Sequence, residues 1–215
     1  MDLIILGDQH SIAKQFLNEI RDKDKQKERM RFRKNMERMG EIMAYEISKK
    51  LDYAPCTVST PLASIISSQL KTQPLIVTVL RAGLVYFQGF LNYFDQSDSG
   101  FIGAYRKEGG SEIKINLEYL ATPSLEGREV ILVDPMLATG KSIVRSVNAL
   151  LSRGRPGHLH IAALIASPEG INYVKENLSV PYTLWTFAVD EKLDHRFYIV
   201  PGLGDAGDLS FGEKI

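Results

Sequence analysis

Cysteine occurs once in this chain, at Cys56. No internal disulfide is possible, which fits a reducing compartment. With no base near it in the sequence, Cys56 is also a poor candidate nucleophile. Histidine is scarce, with four residues. His158 and His160 stand two apart at the start of an apolar run, but two ligands make a poor metal site; His10 and His195 have no evident partner. Neither sign of charge is in excess, since 26 Lys and Arg oppose 26 Asp and Glu. Nothing global therefore points to nucleic acid, a membrane surface or an acidic polymer as partner. Long apolar runs are missing too. None approaches the ~20 residues of a membrane span, and Leu3 to Leu6, with no basic region before it, is too short for a secretory signal. The expectation is a soluble, cytoplasmic protein.

What is present suffices for a core without covalent staples: 215 residues, 44% of them hydrophobic and 24% charged. They are read as a single domain over 1–215. Residues 11–50 read as helix, an N-terminal arm (10–50) whose stripe Phe32, Met36, Met39, Met43 steps by four, three and four, with Ile42 and Ile47 widening it. Within it, 21–38 is rich in Lys and Arg without interleaved aromatics, so it reads as the solvated face of an amphipathic helix, with a subunit-contact arm as the alternative. Beyond residue 57, short apolar runs alternate with helical patterns: LIVTVL (75–80), FIGAYR (101–106), EVILVD (129–134), HIAALIAS (160–167), YTLWTFAVD (182–190) and the shorter FYIV (197–200). Near-continuous apolar runs suit strands buried on both faces, so the fold class is α/β with a mostly parallel central sheet flanked by helices. The polar segment 107–124 fits that scheme badly and reads as a hairpin excursion, a flap over the mouth of the sheet.

After EVILVD comes DPMLATGKS (134–142), whose last four letters match the end of an ATP-binding loop. A Walker loop, G-x-x-x-x-G-K-[ST], places a glycine where this chain has Pro135, and proline has a fixed φ and no N–H for a phosphate. Asp134 beside a polyphosphate would repel it, whereas it can accept hydrogen bonds from a ribose diol. The next residues read as a helix with Ile143, Val144, Val147, Leu150 and Leu151 on one face and Gly154 at its end. Strand, acid, small-residue loop and helix N-terminus together suit a phosphorylated sugar, with backbone N–H groups and the Thr139 and Ser142 hydroxyls around the phosphate. A turn capped by Thr139 with no ligand, and a degenerate ATP loop, remain the alternatives. Elsewhere, PGLGDAGD (201–208) spells G-x-G-x-x-G, but neither a following helix nor an acidic residue about 20 positions on is expected before residue 215. Calcium chelation lacks a downstream bidentate carboxylate. What is left is backbone able to approach a flat ligand, or a plain turn. LRAG (80–83) and YR (105–106) each set an arginine at the end of a strand, where it can pair on the surface or clamp phosphate oxygens.

VILVDPMLATGKS resembles the 5-phosphoribosyl 1-diphosphate (PRPP) loop of type I phosphoribosyltransferases, and D-P-M-L-A-T-G is similar to the form in uracil phosphoribosyltransferases. YIVPGLGDAGD resembles that family's uracil-binding signature. RDKD…FRKNMERMGEIMAYE, SPEG (167–170) and Asp190 are weaker matches, so the likeness covers roughly residues 10–212. The resemblance implies a type I phosphoribosyltransferase fold and the reaction of uracil with PRPP to give UMP and diphosphate in pyrimidine salvage, with Mg²⁺. It assigns Arg81, Arg106, Asp134, Pro135, Met136, Leu137, Ala138, Thr139, Gly140, Lys141, Ser142 and Asp205 to PRPP, and Ile199, Gly204, Asp205 and Ala206 to uracil. Asp134, Arg106 and Asp205 are the implied catalytic residues. Mg²⁺ is expected on PRPP, with Asp205 reaching it through water or polarising the base. The 107–124 flap is expected to close over the site, and a homo-oligomer, dimer or larger, is expected. Lys141 stands where a small residue is usual, Gln88 where an acid is common, and Leu209 where Arg or Lys is usual. Another base, a non-catalytic RNA-binding regulator on this fold, and a P-loop NTPase are the rival readings.

Overall fold

The computed structural model of the chain describes residues 2–107 and 114–213, with the side chains of 104–107 and 114–118 outside that description. In chain order it contains β1 (Asp2–Ile5), α1 (Ala13–Arg21), α2 (Arg29–Ser48), β2 (Tyr53–Ser59), β3 (Ser64–Leu70), β4 (Leu75–Leu80), α3 (Gly83–Leu91), β5 (Ser99–Lys107) and β6 (Lys114–Ala121). There follow β7 (Glu129–Val133), β8 (Met136–Leu137), α4 (Lys141–Leu150), β9 (His158–Ala162), β10 (Ile165–Ala166), α5 (Pro168–Asn177), β11 (Tyr182–Thr186), β12 (Ala188–Val189), β13 (Lys192–Leu193), β14 (Ile199–Val200) and α6 (Ala206–Phe211).

The central sheet has the order β1-β11-β9-β7-β4-β5-β6. Every pair in it is parallel except β5–β6. Val130 to Val133 and Leu75 to Val77 are buried from end to end because helices cover both faces. Phe32, Met36, Met39 and Met43 of α2 pack one face, with Tyr86 and Phe90 of α3. Ile143, Val144, Val147 and Leu150 of α4 pack the other, with Ile171 and Val174 of α5. Among the described residues, no helix is long and apolar enough to cross a membrane.

Several expectations need correction. The arm is two helices, not one. Asp22 Oδ1 accepts the N–H groups of Asp24 (3.0 Å) and Lys25 (3.1 Å), a local turn that competes with the helix and ends α1. The runs 160–167 and 182–190 each break after the main sheet and resume in register: Val133 faces Ala162 and Met136 faces Ile165. The continuations form a smaller parallel sheet, β12-β10-β8, at the carboxyl end of the large one. FYIV is not a strand of the central sheet. Asp194 Oδ1 accepts N–H groups from Arg196 and Tyr198 (2.8 Å each), and the turn leaves only β14, paired antiparallel with β13. β1 and the β2–β3 hairpin are additional to the strands that the apolar runs imply. The 107–124 segment is the return of a hairpin, since β6 pairs antiparallel with β5 from Ala121 to Lys114. Residues 108–113 of the expected flap lie outside the described residues.

His158 and His160 do share one side of β9, with ring centroids 4.9 Å apart. Trp185 Nε1–H donates to His160 Nδ1 (3.2 Å), so the His160 proton sits on Nε2, which faces Glu129 Oε2 at 3.1 Å. His158 Nε2 is 2.9 Å from the Thr183 hydroxyl. Burial, with His160 adding to it, holds the His158 pKa below the ordinary histidine value. An imidazole that resists protonation in the fold but accepts a proton when unfolded stabilises the fold above its unfolded pKa. That stability is lost as the pH falls below about 6.5. Glu129, lowered chiefly by its hydrogen bond from His160, acts in the same direction only below the ordinary glutamate range. The melting temperature should therefore fall between pH 7.5 and 5.5, and His158→Gln should flatten that slope. Equal slopes in wild type and variant would exclude His158 as its source.

Candidate active site

The conspicuous chemistry gathers beyond the carboxyl ends of the parallel strands, where ligands bind in open α/β sheets. β7 ends at Val133 and Asp134 follows, 8% exposed. Asp134 N–H donates to Ala162 O (3.2 Å), and its Oδ1 accepts the Met136 N–H (3.2 Å). Pro135 is buried, and its carbonyl accepts from Leu164 N (2.9 Å) and Ile165 N (3.1 Å). With no N–H at this position the loop cannot wrap a triphosphate as a Walker loop does. Leu137, Ala138 and Gly140 are buried, whereas Met136, Thr139, Lys141 and Ser142 are half-buried. Gly140 takes φ 74 and α4 starts at Lys141. The amides of Ser142 and Ile143 thus belong to its first turn, where N–H groups have no intrahelical acceptor.

The loop is held from behind by the SPEG segment. Ser167 N–H donates to Leu137 O (3.0 Å), and the buried Ser167 hydroxyl donates to Ala138 O (2.6 Å) while accepting Gly170 N–H (3.0 Å). Ser167 is the N-cap of α5, with Pro168 in its first turn. Serine followed by proline is an N-cap signal that the sequence carries; the reach back to the loop is not legible there.

Arg81 leaves β4 and meets the C-terminal block. Its Nη2 donates to Asp208 Oδ1 (2.9 Å) and to Gly212 O (3.3 Å), with Nη1 3.4 Å from the same carbonyl. In that block Ile199 and Ala206 are buried and Gly204 is exposed. Asp205 caps α6, its Oδ1 accepting Asp208 N–H (3.0 Å). A short helix therefore does begin within PGLGDAGD, at Ala206, contrary to expectation. The dinucleotide reading still fails, because β14 pairs antiparallel with β13 and opens no βαβ unit. Asp134, Arg81 and the 199–208 segment are thus carried by one end of the fold, with Arg81 joining two of the blocks directly.

Arg106 lies on β5 beside Ile115, and its side chain is outside the described residues. Leu80, the last residue of β4, pairs with Gly103, so the β5–β6 hairpin runs on past the carboxyl end of β4, on the side where Arg81 emerges. Of the three unusual positions, Lys141 opens α4 within the loop. Leu209, within α6, packs against the core. Gln88 is remote: its Nε2 donates to Asn92 Oδ1 (3.1 Å), in a tie between α3 and Glu37 and Glu41 of α2. Two residues of the expected solvated face point inward instead, since Arg21 pairs with Asp190 and Arg33 donates to Ser210 O (3.1 Å).

The model of the family described as uracil phosphoribosyltransferase matches residues 7–213. A uracil phosphoribosyltransferase of Porphyromonas gingivalis is 46% identical over 216 residues, covering 100% of each chain. Among solved structures, the AQ2163 protein from Aquifex aeolicus matches with a TM-score of 0.88 and 28% identity over 99% of each chain. A hypoxanthine phosphoribosyltransferase of Staphylococcus aureus matches at a TM-score of 0.50 and 16% identity, over 80% of this chain and 85% of that one, a likeness of fold alone.

Proposed function

The chain belongs to the uracil phosphoribosyltransferase family, and we propose that its carboxyl-end crevice joins uracil to PRPP, giving UMP and diphosphate in pyrimidine salvage. The α/β architecture is that of type I phosphoribosyltransferases. The observation that carries the residue roles is the convergence of Asp134, the 135–142 loop and the 199–208 segment at one end of the sheet, with Arg81 bonded to Asp208 across two of them.

As the uracil N1–C1 bond forms, the C1–oxygen bond breaks with its electron pair on the leaving diphosphate, and the N1 proton is released. Positive character grows on the anomeric carbon and negative charge on the diphosphate. No covalent nucleophile is required, and catalysis rests on alignment and charge stabilisation. Asp134 orients the sugar hydroxyls. Ala138 to Ser142 anchor the 5-phosphate at the positive end of α4. Arg81, leaving Asp208 for the substrate, and Arg106 from the hairpin take the diphosphate oxygens. Ile199, Gly204 and Ala206 present main-chain groups to uracil, with Asp205 beside them. Among the described residues no group of three or more His, Cys, Asp or Glu is placed to hold a metal ion. Mg²⁺ would be carried mainly by PRPP, with Asp205 reaching it through water. Bound there, the ion neutralises charge on the diphosphate.

We also propose a homo-oligomer whose contact is not the arm, since the α2 stripe is buried against its own sheet. Among the described residues, β2 and β3 pair only with each other, and 53–70 carries no charged residue. Leu62 and Ile66 of this ribbon are 97% and 83% exposed. A two-stranded ribbon is marginal alone, and a surface without charge can meet its own copy across a two-fold axis without repulsion.

One experiment tests these roles. The protein is incubated with PRPP, Mg²⁺ and uracil, cytosine or hypoxanthine, and sedimented at the assay concentration. UMP should form from uracil alone, stop with EDTA and return with added Mg²⁺, from a dimer or larger species. Product from another base, or ATP hydrolysis without PRPP, would replace this reading; full activity in EDTA would remove the metal, and a monomer would remove the ribbon contact.

A further inference from the structure

Three side chains of the α1–α2 arm reach the C-terminal block, and two of them, Arg21 and Gln26, reach the segment assigned to the base. Arg21, in the last turn of α1, makes a two-pronged pair with Asp190: Nη1 to Oδ2 at 2.8 Å and Nη2 to Oδ1 at 2.7 Å. Its side chain is 19% exposed and that of Asp190 6%. Gly202 closes the ring. Its N–H donates to Asp190 Oδ2 (2.9 Å) and its carbonyl accepts Arg21 Nη1 (3.1 Å). Both backbone groups of one residue are therefore held by a single ion pair. With its amide oriented to suit its neighbours, Gln26 donates to Leu203 O (2.9 Å) and Ile20 O (3.2 Å). Arg33 Nη1 donates to Ser210 O (3.1 Å) at the far end of α6. Asp190 is anchored in turn, its N–H donating to Ala166 O (2.8 Å) at the end of β10.

Gly202 lies between Ile199 and the Gly204–Ala206 stretch, on the path that aims main-chain groups at uracil. Here the chain leaves β14, and the ring, together with Leu203 buried in the core and bonded to Gln26, sets where Gly204 lies. Arg21 suits this job and lysine does not. Two parallel N–H bonds to a carboxylate and a third to a carbonyl need a planar fork, whereas an ammonium is a point donor.

We infer that Arg21, acting through Asp190 and Gly202, is a positioning residue for the base, which sets the affinity for uracil without touching it. This rests on the assignment of 199–206 to uracil.

The test is Arg21→Lys, which keeps the charge beside the buried Asp190 and so spares most of the fold, assayed for the KM of each substrate alongside its melting temperature. A displacement of the order of an ångström can cost up to ~100-fold. The uracil KM should rise about ten-fold or more, with the PRPP KM within about two-fold and melting within a few degrees. Should Arg21→Lys not fold, Asp190→Asn, which can still accept the Gly202 N–H, should show the same split. Arg31→Met is the control. It removes a two-pronged pair of the same arm, to Glu19 (Nε to Oε2, 2.8 Å; Nη2 to Oε1, 3.0 Å), that does not reach the C-terminal block, and both KM values should stay put. UMP from the wild type with an unchanged uracil KM in Arg21→Lys would overturn this inference alone. Absence of UMP from the wild type would overturn it together with the reading beneath it. An equal rise in both KM values would assign Arg21 to overall stability and also overturn it.

Discussion

Asp134→Asn is expected to lower kcat by about 10²-fold or more while moving the melting temperature by no more than a few degrees. The two halves of this expectation have separate causes. Structurally, Asp134 is fixed by its backbone, through N–H to Ala162 O (3.2 Å), and by Oδ1, which accepts Met136 N–H (3.2 Å). Asparagine is almost the same shape and retains an amide oxygen for Met136, so the turn into β8 survives. Chemically the change is larger. A carboxylate can accept two hydrogen bonds from a ribose diol and carries negative charge near a carbon that becomes positive in the transition state. An amide accepts at one atom, donates at the other and carries no charge. The loss belongs to the transition state more than to the ground state, so it should appear in kcat with a smaller change in the PRPP KM. Steady-state kinetics and a thermal melt decide the matter. Near-normal turnover would take Asp134 out of the mechanism, and a collapsed melt would make it a structural residue.

Much of this site is legible in the amino-acid sequence because its chemistry is written in local strings. DPMLATGKS names a strand end, an acid, a loop and a helix start in consecutive positions, and β7 and α4 fall where that string puts them. LIVTVL forms β4 with its ends unchanged. A strand buried on both faces has no polar alternation to confuse with a loop, which is why the inner strands are the readable ones. β1 shows the converse. It is short and partly exposed, and only its pairing with β11 at the far end of the chain makes it a strand. The break after Arg21 is hidden because residues 22–28 are compatible with helix by type, and the turn around Asp22 depends on side-chain geometry. What spacing cannot supply is the set of ties between the blocks. Arg21 and Asp190 are 169 positions apart, Arg81 and Asp208 are 127 apart, and Ser167 and Ala138 are 29 apart. Each member taken alone reads as a surface charge or a helix cap. Their roles emerge only when the sheet brings the carboxyl ends of β4, β7 and β9 together.

Gly170→Ala should do more damage than its single methyl suggests, and it tests whether the 137–140 loop holds phosphate. Gly170 lies in the first turn of α5 with its back to that loop. A Cβ there would overlap Ala138 O and stand 2.8 Å from Leu137 O and 3.1 Å from Ala138 C. These are backbone atoms, so no side chain can swing aside to make room. Ala138 O is also the acceptor of the Ser167 hydroxyl (2.6 Å), and Gly170 N–H donates to that same hydroxyl (3.0 Å), so helix and loop are locked at the point where the methyl would enter. Either the loop moves outward or the first turn of α5 moves back, and both routes strain the Ser167 bonds. Overpacking of this kind costs about 1–3 kcal/mol, or roughly 2–12 °C in melting temperature for a chain of this size. The functional loss should exceed the stability loss. The donors of Ala138 to Ser142 follow the carbonyl that is pushed, and an ångström of misplacement can cost about 10²-fold in rate. The PRPP KM should rise about ten-fold or more with kcat falling, while the uracil KM stays close to the wild-type value because the 199–206 segment hangs from Asp190 and Arg21 instead. A lowered melting temperature with an unchanged PRPP KM would mean that the loop serves the fold alone and that the 5-phosphate is held elsewhere.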